Sequence, residues 1–247
     1  MTDGEKAMKI IDRIQEKQKN LGEEKPITIA FLGDSVTQGC FDCYEEAPGK
    51  IETEFHPEWG YVELFKRMLH KLYPSVPLAV INAGVSGSSA YGGVCRLERD
   101  VLSFSPDLVV VCFGLNDTNN GMEGVEKFRK NLTDIFRRIR SSGAECIYMT
   151  PNTMNYLVSP HITSDAIKDL AVDLRGRMTS GMMDAYMEAA RETARAEGVP
   201  LCDCYALWKR MAASGINVTE LLANRMNHPD KDMHFLFAYE LLKTILS

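Results

Sequence analysis

Ser35 lies in the stretch FLGDSVTQG, where an apolar run breaks into Gly-Asp-Ser and a second glycine follows. A serine there is either a turn residue chosen for backbone geometry or a nucleophile held at a strand end. Three later segments bear on the choice. NAGVSGSS carries Gly84 and Gly87, GLND carries Asn116 and Asp117, and NHPDKDMHFLFA carries His228 before a proline, with His234 further on.

These residue types cover the roles of acyl transfer. A serine hydroxyl is a poor nucleophile until a base takes its proton, and histidine has the pKa suited to that task near neutrality. A tetrahedral intermediate then needs donors aimed at its oxyanion. The Ser35 N–H stands at a helix start with the macrodipole behind it. Gly87 brings a bare N–H close, and Asn116 offers a side-chain NH₂. One such donor contributes about 10²–10³ in rate.

Taken singly, each residue has a plainer reading. Gly87 fits a tight turn, Asn116 with Asp117 fits an Asx-turn or helix cap, and His228 is an ordinary loop histidine. His234 opens a helix and is expected to pack or cap. His56, His70 and His161 have no supporting context. The functional reading rests on the order and placement of the set.

That placement comes from five apolar runs: Ile27–Gly33, Pro77–Asn82, Asp107–Gly114, Glu145–Thr150 and Val199–Cys204. They are rich in β-branched and aromatic residues and do not alternate strictly, as expected of strands buried on both faces of a parallel sheet. Helical stripes lie between them: Val62, Phe65, Leu69 and Leu72, then Val125, Phe128, Leu132, Ile135 and Ile139. A helix before Gly198 and another at the chain's end complete a strand–helix alternation. That order predicts one α/β domain over residues 1–247, a three-layer sandwich with a five-stranded parallel sheet. The charged N-terminus reads as an amphipathic helix at about residues 3–21 and lacks the apolar core of a signal peptide. Residues 40–58 and 152–180 read as insertions leaving strand C-terminal ends, where lids and binding loops arise.

Composition excludes some partners. The 28 Lys and Arg against 34 Asp and Glu give a formal charge of −6, which argues against nucleic acid. No run approaches the roughly 18 apolar residues of a membrane span. Seven cysteines without an export signal argue against a disulfide framework. Cys40 with Cys43 and Cys202 with Cys204 are a poor fit to a zinc or redox site and are expected to be reduced, packed as small hydrophobes. A small-molecule substrate, no cofactor, no metal and a cytoplasmic location are expected. Oligomeric state is not legible.

The chain resembles the SGNH (GDSL-type) hydrolase family of esterases and acylhydrolases. GDSVTQG looks like its first block, NAGVSG its second, GLND its third and HPDKDMHFLFA its last. The resemblance implies a flavodoxin-like α/β/α fold, with Ser35 as nucleophile, His228 as general base, and Ser35, Gly87 and Asn116 forming the oxyanion hole. One position departs from the pattern. The family has an aspartate three residues before the histidine, and here that residue is Arg225. A guanidinium cannot accept the imidazole N–H. The main-chain carbonyl at or near Arg225 is the expected replacement; the alternatives are Asn224 acting through its side-chain carbonyl oxygen after a one-residue loop shift, or a carboxylate such as Asp203, Glu220 or Asp232.

The leading functional expectation is a serine esterase removing a small acyl group, acetyl above all, from a carbohydrate or similar ester. A thioesterase or lysophospholipase is the alternative enzyme, with Met154, Tyr156, Leu157 and Val158 lining an acyl pocket. A non-catalytic carbohydrate-binding protein on the same scaffold is the third reading, motivated by the missing aspartate.

Overall fold

The computed structural model describes residues 8–247. An amphipathic helix α1 (Lys9–Lys19) buries Ile10, Ile11 and Ile14; the part of the expected N-terminal helix before residue 8 lies outside the described residues. The sheet strands are β1 (Ile27–Gly33), β4 (Leu78–Gly84), β5 (Leu108–Cys112), β6 (Glu145–Met149) and β7 (Leu201–Cys202). They pair in the order β4-β1-β5-β6-β7, all parallel.

Not every apolar run is buried on both faces. Every residue of β5 is buried, as in a central strand, whereas β4 is a half-exposed edge and β7 pairs over only Leu201 and Cys202. Helices cover both faces. On one side α3 (Tyr61–Leu72) and α1 pack against α9 (His234–Leu246), with α8 (Cys204–Ala213) beside it. On the other, α4 (Ala90–Asp100) and α7 (Met182–Glu197) pack against α5 (Val125–Ser141). This is a three-layer α/β/α sandwich.

Both expected insertions hold regular structure. Residues 40–58 form an antiparallel hairpin, β2 (Cys40–Ala47) with β3 (Lys50–Phe55), followed by a short 3₁₀ turn. Its alternating charged residues hid the strands, because both faces of much of the hairpin are solvated. Within 152–180, Thr153, Met154 and Asn155 are buried, and α6 (Asp165–Thr179) follows, capped by the Ser164 hydroxyl.

Chain order reverses at β1: β4 lies on one side of it and β5 on the other. Gly33 pairs with Gly84 and with Cys112, so these three strands end level. The loops after them therefore open into one crevice, the switch point where open α/β sheets bind ligands.

Candidate active site

Ser35 opens α2 (Ser35–Gln38), a single turn. The sequence GDSVTQG specifies both ends of it. The Asp34 carboxylate accepts the Val36 N–H at 3.0 Å, and Gly39 closes the turn at φ 94°, which an L side chain rarely adopts. A turn this short carries little macrodipole, so the Ser35 N–H contributes as a local donor without an intrahelical partner.

Ser35 Oγ and His228 Nε2 are 2.9 Å apart, joined across 193 residues of sequence. Both side chains are nearly buried, at 5% and 6% exposure. Burial pushes His228 down to about 4, so the ring is neutral at neutral pH. Its Nδ1 lies 3.1 Å from Asn224 Nδ2. That contact corrects the expectation that a carbonyl near Arg225 holds the ring. Arg225 adopts φ 58° and turns its guanidinium to the carbonyls of Glu220 and Leu222. Asp203 pairs with Arg191 and Glu220 with Arg225. Among the described residues, no carboxylate oxygen is hydrogen-bonded to His228.

Gly87 and Asn116 sit on the loops after β4 and β5. Gly87 is exposed at φ 74°, in open space. Asn116 donates one N–H to the Ser88 carbonyl at 3.0 Å, which ties its loop to that of Gly87 and leaves its second N–H for another acceptor. The residues that hold these loops were largely invisible in the sequence. Asp117 accepts the N–H of Ala90 at 3.0 Å and that of Gly114 at 3.1 Å. Arg96, on the buried stripe of α4 with Gly93 and Leu97, donates to the strand-end carbonyls of Gly33 at 2.7 Å and of Ala83. Gln38 accepts the Ser86 N–H at 2.6 Å, and Asn82 donates to the Thr37 carbonyl at 2.9 Å. A charged residue on an apolar helical stripe was the one available signal, at Arg96.

Burial raises Asp34 to about 7 and Asp117 to about 6, the latter against the backbone N–H groups of Ala90, Gly114 and Asp117 itself, which favour its anion. His234 does not join Ser35. It is fully buried between Phe41, Tyr61 and Phe237, and its Nδ1 accepts the first N–H of α3, from Tyr61, at 3.1 Å. Met154 is core, while Tyr156 and Leu157 border an apolar cavity of about 600 Å³ that shares no residue with the Ser35–His228 pair. Asn224 borders a second, polar groove of about 540 Å³ with Asp42, Tyr44, Glu45, His161 and Arg225. Among the described residues no three His, Cys, Asp or Glu side chains group as a metal site, all seven cysteines are free, and no helix is long and apolar enough to cross a membrane.

A flavodoxin-like sandwich with a serine and histidine in contact at its switch point defines the class: the α/β/α fold of SGNH hydrolases. The chain belongs to the GDSL-like lipase/acylhydrolase family, which matches residues 31–235. It is 33% identical to an acetylxylan esterase of Geobacillus stearothermophilus over 89 residues, 36% of this chain and 39% of that protein. It is 32% identical to esterase TesA of Pseudomonas aeruginosa over 91 residues, 36% of this chain and 43% of that protein. The matches thus span less than half the length of these curated relatives. The crystal structure of an acetyl xylan esterase superposes with a TM-score of 0.65 at 21% identity, covering 89% of this chain and all of the other, a likeness of fold.

Proposed function

We propose that the chain is a serine esterase that removes a small acyl group, acetyl, from a carbohydrate ester. The observation that carries this reading is the 2.9 Å contact between Ser35 Oγ and His228 Nε2, between segments held on separate elements. In the proposed cycle Nε2 takes the Ser35 proton as Oγ attacks the ester carbonyl. The oxyanion is met by the N–H groups of Ser35 and Gly87 and the Asn116 amide. The imidazolium returns its proton to the departing alkoxide, leaving an acyl-serine. Water, deprotonated by the same nitrogen, then releases the acid and restores the hydroxyl.

The acetyl and carbohydrate parts are supported by the likeness to the acetylxylan esterase and by the polar groove that begins at Asn224, beside the base. A leaving alcohol must lie on the histidine side, because Nε2 protonates it. The long-chain reading has the apolar cavity beside Tyr156 in its favour, but that cavity is lined by other residues than the site.

A fluorophosphonate probe tests the nucleophile: wild type should be labelled and Ser35→Ala should not. Absence of labelling in folded wild type rejects the enzyme. A panel of p-nitrophenyl esters and acetylated xylo-oligosaccharides tests the substrate, and rates that climb with acyl length beyond butyrate reject the acetyl preference.

A further inference from the structure

Asn224 is nearly buried, at 5% exposure, and both ends of its amide are committed. Its Oδ1 accepts three backbone N–H groups in succession, from Met226 at 3.0 Å, Asn227 at 2.9 Å and His228 at 3.0 Å. Its Nδ2 faces Asn227 Oδ1 at 2.9 Å and His228 Nδ1 at 3.1 Å. Three donors converging on one atom identify that atom as the oxygen. The atom facing the imidazole is therefore the nitrogen, a donor only.

We propose that Asn224 is the positioning residue for His228, and that it holds the resting imidazole with its proton on Nε2 and a bare Nδ1. The ring is then oriented by a donor, where a carboxylate would orient it as an acceptor. The catalytic consequence rests on the serine-esterase reading above; the tautomer itself does not. With Nε2 protonated, the contact to Ser35 runs from ring to hydroxyl, and Nε2 has no lone pair for the serine proton. Base catalysis requires that proton on Nδ1, where it needs an acceptor. Turning the Asn224 amide over supplies one, but it points an NH₂ group at three backbone N–H groups. The productive tautomer is thus a minor state, and its scarcity lowers kcat. In a serine triad the wrong tautomer alone reduces kcat by about 10⁴.

Asn224→Asp removes the conflict. One carboxylate oxygen keeps the three N–H groups, and the other accepts Nδ1–H and frees Nε2, the Asn227 amide turning over to present its NH₂ in place of the Oδ1 that Asn224 Nδ2 meets in the wild type. The variant should raise kcat for p-nitrophenyl acetate at least about tenfold with KM little changed, since the tautomer acts on chemistry. The acid limb of its kcat/KM profile should move up towards neutrality, because a carboxylate stabilises the imidazolium. Asn224→Ala loses both the loop cap and the donor and should be slower than the aspartate variant. A merely structural role predicts that neither variant exceeds wild type.

Nitrogen-15 NMR of the wild-type protein reads the tautomer directly and needs no variant to fold. The expected spectrum has the His228 proton on Nε2. A proton on Nδ1, or a folded Asn224→Asp protein no faster than wild type, overturns the proposal. Failure of the fluorophosphonate to label wild type, with the proton found on Nε2, rejects the esterase reading and leaves the positioning role in place.

Discussion

Asp117 accepts the N–H of Ala90 at 3.0 Å from 27 residues further along the chain. With its other oxygen on Gly114 N, it fastens the start of α4 to the end of β5. The loops that present Gly87 and Asn116 are thereby held to one another, independently of any substrate. Asp117→Ala should orphan two buried N–H groups, at about 1–3 kcal/mol each. Urea unfolding of this variant beside Asp117→Asn, which keeps one acceptor, measures the loss, and the asparagine variant should fall between alanine and wild type.

Asn116 is arranged differently, with one N–H on Ser88 O and one unassigned. Asn116→Ala should lower kcat by about 10²–10³ if the second N–H meets the oxyanion. The stability change should stay near about 1 kcal/mol, the worth of one ordinary hydrogen bond. Steady-state kinetics with p-nitrophenyl acetate and a thermal melt separate the two effects.

Gly84 lies against α2. A Cβ there would stand 2.2 Å from the Gln38 nitrogen, a backbone atom that cannot swing aside. Gly84→Ala should push the turn carrying Ser35 away from β4. It should cost about 1–3 kcal/mol by overpacking, and a misplacement of about 1 Å lowers rate by about 10². Loss of labelling rate beyond the loss of folded protein, measured at low temperature, is the expected result.

The buried titratable groups oppose each other in their effect on stability. Asp34 and Asp117 are raised to about 7 and about 6, so the folded protein holds more protons than the unfolded chain above the ordinary carboxylate range. Their contribution falls as pH rises through that window. His228 and His234 are lowered to about 4 and about 3, so the unfolded chain holds more protons below the ordinary histidine value. Their contribution is lost as pH falls from about 6.5. His234→Gln removes one member of the second group. It should be less stable than wild type near pH 7.5, through loss of the Tyr61 cap, yet lose less on acidification to about pH 5. Urea midpoints at the two values check this.

The sequence by itself determined the five strands of the main sheet and their order of occurrence, since β5 and the core of β1 are apolar throughout and strand burial follows from that. It also determined the turn at Ser35, because Asp34 and Gly39 are local caps whose action spans four residues or fewer. The hairpin at Cys40–Phe55 was hidden, as a largely solvated pair of strands has no core face to leave a pattern. Only the tertiary structure decided that Ser35 meets His228, and that Asn224 rather than a carbonyl faces the ring. Those contacts depend on where separate loops arrive in space. The direction of the Asn224 amide is set by three neighbouring N–H groups whose convergence comes from the left-handed turn at Arg225, a backbone conformation that an arginine in a sequence does not announce.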